Sequence, residues 1–148
     1  NMIHMLLALY LSLNAVPVIT LERTGCYGTC PIYKLKIYDD GKVEYEGTEF
    51  VKRKGKAESR ITTDALQDLA REFEKIDYFK LDDNYGGESR NCPESWTDYP
   101  TAITSLNWKD QKKTVRHYHG CRGSAVLEQL TALEDKIDKT VNTKRWIE

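Results

Sequence analysis

Neither sign of charge dominates this sequence. Its 22 lysines and arginines are set against 23 aspartates and glutamates, a formal net charge of −1 over 148 residues. A dedicated nucleic-acid binder needs a basic surplus to displace phosphate counterions, so that class is excluded. The richest basic run, Lys52 to Lys56, is broken by Gly55 and followed by Glu58, and reads as a solvated hairpin or strand edge. Long apolar runs are also missing. The longest, Met2 to Leu13, is too short to span a bilayer, so the mature chain carries no stable membrane span. No glycine-rich phosphate loop ending in Lys-Ser/Thr, no His-Glu-x-x-His and no Gly-x-Ser-x-Gly occurs. Asp82, Asp83, Asn84 and Glu88 surround a Gly-Gly pair but lack the spacing and closing glutamate of an EF-hand. With 40% hydrophobic and 30% charged residues the composition is globular, and the length suits one domain able to bury a core.

The apolar run at the start ends in Asn-Ala-Val-Pro, with Ala15 as a small residue at a cleavage point. Residues 1–15 therefore read as a secretory signal segment, and 16–148 as a single domain acting outside the cytoplasm. The first cysteine, Cys26, lies too far beyond that run for lipidation.

Periodicity assigns the elements. Val18 to Arg23 alternates as a strand. From Pro31 to Gly47 the chain reads as a hairpin. A three-residue loop, Asp39-Asp40-Gly41, sets Ile37 opposite Val43 and Leu35 opposite Tyr45 on one face, with Lys36–Glu44 and Lys34–Glu46 on the other. The segment 48–61 adds further strand with a turn at Lys54-Gly55. Leu66, Leu69, Ala70, Phe73 and Ile76 then recur at helical spacing behind a Thr62 or Thr63 cap, in a helix ending near Tyr78. Some 20 residues of turn formers, acids and aromatics follow without a period, and a loop that long is functional or tied down. A second hairpin centred on Asp110-Gln111 pairs Leu106 with Val115, Thr104 with His117 and Ala102 with His119. A second helix starts at a Ser124 cap with Val126, Leu130, Leu133, Ile137 and Val141 on one stripe, and Trp146 is expected to pack back on the sheet. The fold class is α+β: an antiparallel sheet with two amphipathic helices on one face, its hairpin–helix order occurring twice.

Several stretches together, "GCYGTCPIYKLKIYDDGKVEYEG", "FEKIDYFKLDDNYGG", "WTDYPTAITSL", "VRHYHGC" and "LEDKIDKTVNTKRWI", resemble one bacterial family of small, mostly extracytoplasmic domains of unknown function. The resemblance spans about Ile19 to Ile147 and implies an exported α+β domain without an established activity, so no catalytic residues carry over. Cys26, Gly28, Cys30, Pro31 and Tyr33 match its opening motif. Cys92 and Cys121 are less general in that family, so the resemblance implies that they act as a separate pair.

Four cysteines allow three connectivities, and Cys26–Cys30 with Cys92–Cys121 is the favoured one. The first bridge closes a tight loop, and the second ties the long loop to the end of the last strand. Metal and thiol chemistry compete with this. His117, His119 and Cys121 alternate along one strand face and, with Cys92, offer four soft ligands for zinc. Oxidised sulfurs cannot act as thiolates, so that set and the bridges exclude each other. Cys26 and Cys30 are one residue too far apart for a Cys-x-x-Cys redox centre. Asp98 with His119 would be an acid–base pair only if the fold joined them. The favoured reading is a non-catalytic, cofactor-free binding or structural module with a protein or cell-envelope partner. Its candidate surface is Tyr85, Trp96, Tyr99, His117, His119 and Arg122. The alternative is a zinc-binding or thiol-dependent enzyme.

Overall fold

Where the chain alternates, strands form, and nearly all of them turn the same kind of face inward. The structure, a computed structural model, describes residues 15–148, so the expected signal segment lies outside the described residues except for Ala15. The main strands are β1 (Ile19–Arg23), β2 (Ile32–Ile37), β3 (Lys42–Glu49), β4 (Gly55–Arg60), β7 (Thr101–Trp108) and β8 (Gln111–Tyr118). Three two-residue strands come from the long loop and the chain after it: β5 (Asn84–Tyr85), β6 (Glu94–Ser95) and β9 (Cys121–Arg122). Seven strands form one sheet in the order β4-β3-β2-β1-β7-β8-β5, antiparallel throughout except where β5 runs parallel to β8. A small second ladder joins β6 to β9.

Ile19, Leu21, Leu35, Ile37, Val43, Tyr45, Ala102, Leu106 and Val115 are buried on the inner face. Their neighbours in sequence, among them Lys34, Lys36 and Glu46, are exposed on the outer one. Helix α1 (Thr63–Lys75) covers the inner face with Leu66, Leu69, Ala70 and Phe73. Helix α2 (Ala125–Val141) does so with Leu127, Leu130, Leu133, Ile137 and Val141. The fold is thus α+β, as composition and period predict. A short turn, α3 (Lys144–Ile147), brings Trp146 back onto Tyr45, with ring centroids 4.7 Å apart.

The first hairpin has the expected register, with Leu35 opposite Tyr45 and Lys36 opposite Glu44. Gly41 takes a φ of +88° at its loop, and a Cβ there would run into the Ile61 carbonyl, so both its conformation and its contact require glycine. The second hairpin differs. Ala102 faces His117, Thr104 faces Val115 and Leu106 faces Lys113, two residues away from the pairing expected. The reason is the turn: Lys109 and Asp110 both adopt left-handed backbone, φ 51° and 62°, making a two-residue primed turn without glycine. Because the displacement is even, each side chain keeps its face, and only its cross-strand neighbour changes.

Helix ends follow local chemistry at one terminus and not at the other. Thr62 caps α1, its hydroxyl accepting from the Ala65 amide at 3.0 Å. The helix stops at Lys75, and Tyr78–Lys80 forms a separate 3-10 turn that buries Tyr78. Ser124 stands at the N-cap position of α2, but its hydroxyl makes no capping bond and is buried without a partner.

Candidate functional site

Strand parity carries polar groups into the core at one end of the sheet. Arg23 follows Ile19 and Leu21 on the inner face of β1, and His117 follows Val115 on that of β8. Helix α2 meets them with Glu134 and Asp138, one turn apart. Arg23 donates from Nε and Nη2 to Asp138 Oδ2 at 3.0 and 2.8 Å, and the Tyr33 hydroxyl donates to Asp138 Oδ1 at 2.8 Å. Burial, reinforced by the charge of Asp138, pushes the Tyr33 phenol well above its ordinary range.

Glu134 is almost fully buried, and its two carboxylate oxygens go to two different histidines. His117 Nδ1 lies 2.7 Å from Oε2, and His119 Nε2 lies 2.6 Å from Oε1. The imidazole rings stack with centroids 4.2 Å apart. Burial alone would raise the glutamate's pKa, but the hydrogen bonds from both histidines outweigh it and hold the carboxyl below its ordinary value. His117 is enclosed, whereas His119 is half-buried and borders two clefts. One, about 320 Å³, lies between Tyr99, Arg122, Leu127 and Thr131; the other, about 180 Å³, lies between Thr24, Pro31 and Pro100. Among the described residues, His117, His119 and Glu134 bring three donor atoms of metal-ligand type within 4.8 Å of one another.

Around this site the loops are pinned by sulfur. Cys26–Cys30 and Cys92–Cys121 are both disulfides, and no cysteine among the described residues is free. The Cys26–Cys30 loop is held against the 96–101 segment: the Tyr27 amide donates to the Asp98 carbonyl at 3.1 Å, and Thr24 and Thr101 exchange bonds. Trp96 is fixed by its amide to the Gly120 carbonyl at 2.8 Å, and its own carbonyl accepts from the Tyr118 hydroxyl. On this backing stand Tyr27 (88% exposed), Trp96 (53%) and Tyr99 (40%). The Arg122 guanidinium lies 4.7 Å from the Tyr99 ring centroid and 5.9 Å from that of Trp96, within cation–π range of both.

Of the six residues expected at a binding surface, the structure brings Trp96, Tyr99, Arg122 and His119 together at the exposed end. Tyr85 and His117 do not reach that surface. Tyr85 is buried where β5 pairs with β8 directly opposite His117, and its hydroxyl accepts from the Asp82 amide at 3.2 Å. The zinc set of His117, His119, Cys121 and Cys92 does not assemble, because both sulfurs are spent in a disulfide. The partner of His119 is Glu134, not Asp98. Sequence reasoning missed Glu134, Arg23, Asp138 and Tyr27. The first three were detectable as charges falling on otherwise apolar faces; Tyr27 had no signal beyond its place in the Cys loop.

No curated protein matches the chain significantly. Residues 17–141 match the model of a family described as a domain of unknown function. The chain therefore belongs to that family, DUF6438.

Proposed function

We propose that the protein is an extracytoplasmic binding module, of bacterial origin as its opening motif implies, and that its ligand surface is the disulfide-backed end carrying Tyr27, Trp96, Tyr99 and Arg122. One observation carries this reading. Of the five large apolar side chains left exposed among the described residues, four are aromatic, and three of these, Tyr27, Trp96 and Tyr99, stand on two adjoining loops braced by covalent bonds. Aromatic rings around an arginine, held on a rigid frame, give contact area with little entropy left to lose on binding. Both bridges fit an oxidising compartment. A protein segment suits this surface better than a buried small molecule, since the clefts beside it are open to solvent.

The test is site-specific photo-crosslinking in the producing cell, with the photoreactive residue placed at Tyr27, Trp96 or, as a control, Lys36 on the outer sheet face. A discrete protein adduct from positions 27 and 96 and none from 36 is the expected result. Equal labelling from all three positions, or no adduct from any, would overturn the assignment of this surface.

A further inference from the structure

We infer that His117, His119 and Glu134 form a binding site for a divalent late first-row metal ion, zinc being the ion their chemistry suits best. Two imidazole nitrogens and one carboxylate from alternate positions of one strand and a facing helix are a donor set that zinc accepts, with a further position left for water. The three donors already converge: both nitrogens lie within 2.7 Å of the Glu134 oxygens, and the whole group fits within 4.8 Å.

Charge is the second ground. Glu134 is a buried carboxylate, and among the described residues no lysine or arginine forms an ion pair with it. Arg23, on the inner face of β1, is engaged by Asp138 and Asp135. The hydrogen-bond partners of Glu134 among the described residues are His117 and His119, side chains of the type that commonly holds a metal. Access is the third ground. His119 borders both clefts, so an ion can reach the site from solvent and keep an open position there.

The adjustment needed is small. Two ligands each at zinc–ligand distance in a tetrahedral site stand about 3.3 Å apart. The short nitrogen–oxygen contacts, which go to different oxygens, would therefore open by roughly 0.6 Å while donors now up to 4.8 Å apart close, both through side-chain torsions of Glu134 and His119. This site uses no sulfur, so it coexists with both disulfides. It adjoins the aromatic surface proposed above, since His119 borders the cleft of Tyr99 and Arg122, but shares no residue with it.

The experiment uses the full mature chain without a histidine tag, stripped with a chelator, reloaded with zinc and passed through gel filtration before metal analysis. One zinc per chain is expected, and cobalt in its place should give visible absorption bands of a low-coordinate site. His119→Ala, at the margin of the core, should weaken zinc binding at least 100-fold while leaving the circular dichroism unchanged, and Glu134→Gln should weaken it as well. Should either variant fail to fold, nitrogen NMR of the unmodified protein decides: zinc must shift the ring resonances of both His117 and His119. Less than a tenth of a zinc per chain, unchanged affinity in His119→Ala, or ring shifts that spare these two histidines would overturn the proposal. The trio would then be a hydrogen-bonded structural element only.

Discussion

Asp138 Oδ2 takes two hydrogen bonds from Arg23, at 3.0 Å from Nε and 2.8 Å from Nη2, so a single carboxylate on α2 anchors the inward end of β1. Its other oxygen accepts from Tyr33 on β2. Three elements are thus joined by one side chain at the place where the first disulfide loop leaves the sheet. Apolar packing would hold α2 to the sheet without fixing its position along the strands. The directional contact to Asp138 supplies that register.

Removing one partner should therefore hurt more than removing both. Asp138→Ala leaves a largely buried guanidinium with only the exposed Asp135 and the Tyr33 hydroxyl as partners, and should lower unfolding stability by about 3 kcal/mol. The double replacement Arg23→Met with Asp138→Leu should recover most of that loss. Urea midpoints at constant slope measure both. A loss under about 1 kcal/mol for Asp138→Ala would show that the contact is solvated in practice.

Alkali should unfold the protein through its buried phenols. Burial raises both Tyr33 and Tyr78 above the ordinary tyrosine value; Asp138 adds to the shift at Tyr33, and the bond to Thr104 only partly offsets it at Tyr78. A raised folded pKa means that the stabilisation is complete below the unfolded value, about 10, and is lost as pH climbs toward the folded one. Stability should fall from about pH 10 upward. The phenolate absorbance of these two residues should appear together with loss of secondary structure rather than before it. In Tyr33→Phe the alkaline slope should be shallower by one group.

Much of this was readable in advance because alternation is a strong signal. The register of β2 with β3 follows from matching apolar and charged faces, since Lys34 and Lys36 meet Glu46 and Glu44 only one way. The same logic failed for β7 with β8. There the turn falls on Lys109-Asp110 instead of Asp110-Gln111, because both residues take the left-handed backbone that sets the loop, which Asp110 tolerates. On α2 the buried stripe runs through Leu127 rather than Val126, which is only half-buried, and it includes Glu134. A glutamate among leucines is visible in the sequence, but its meaning needs the two histidines opposite. Tyr85 was unreadable for another reason. Its neighbours have no period, and only a long-range parallel pairing with β8 draws it into the core.

The two disulfides should differ in worth. Cys92–Cys121 closes a separation of 29 residues and Cys26–Cys30 one of 4. Chain entropy alone then gives about 3–4 kcal/mol for the first and about 2 for the second. Paired Cys→Ala variants compared by urea denaturation should rank in that order. The short bridge should matter more to amide-exchange protection at Tyr27 than to global stability, because its loop lies outside the core. Equal global losses would mean that the short loop is integrated more deeply than its exposure implies.

Gly120 is where the aromatic surface is fastened to the sheet, and it is a position at which that surface can be disturbed without replacing an aromatic residue. A Cβ at 120 would press on the Trp96 carbonyl and the Tyr118 ring, while the Gly120 carbonyl holds the Trp96 amide. Gly120→Ala must therefore push the 94–97 segment outward, and overpacking of this kind costs about 1–3 kcal/mol. The displacement should part Trp96 from Arg122, now 5.9 Å from its ring. It should raise acrylamide quenching of the Trp96 fluorescence, read in a background where Trp108 and Trp146 are replaced by Phe. The main sheet should keep its amide protection, since β6–β9 is a separate ladder. If quenching stays unchanged, the loop is held by Cys92–Cys121 alone, and the glycine contributes only close packing.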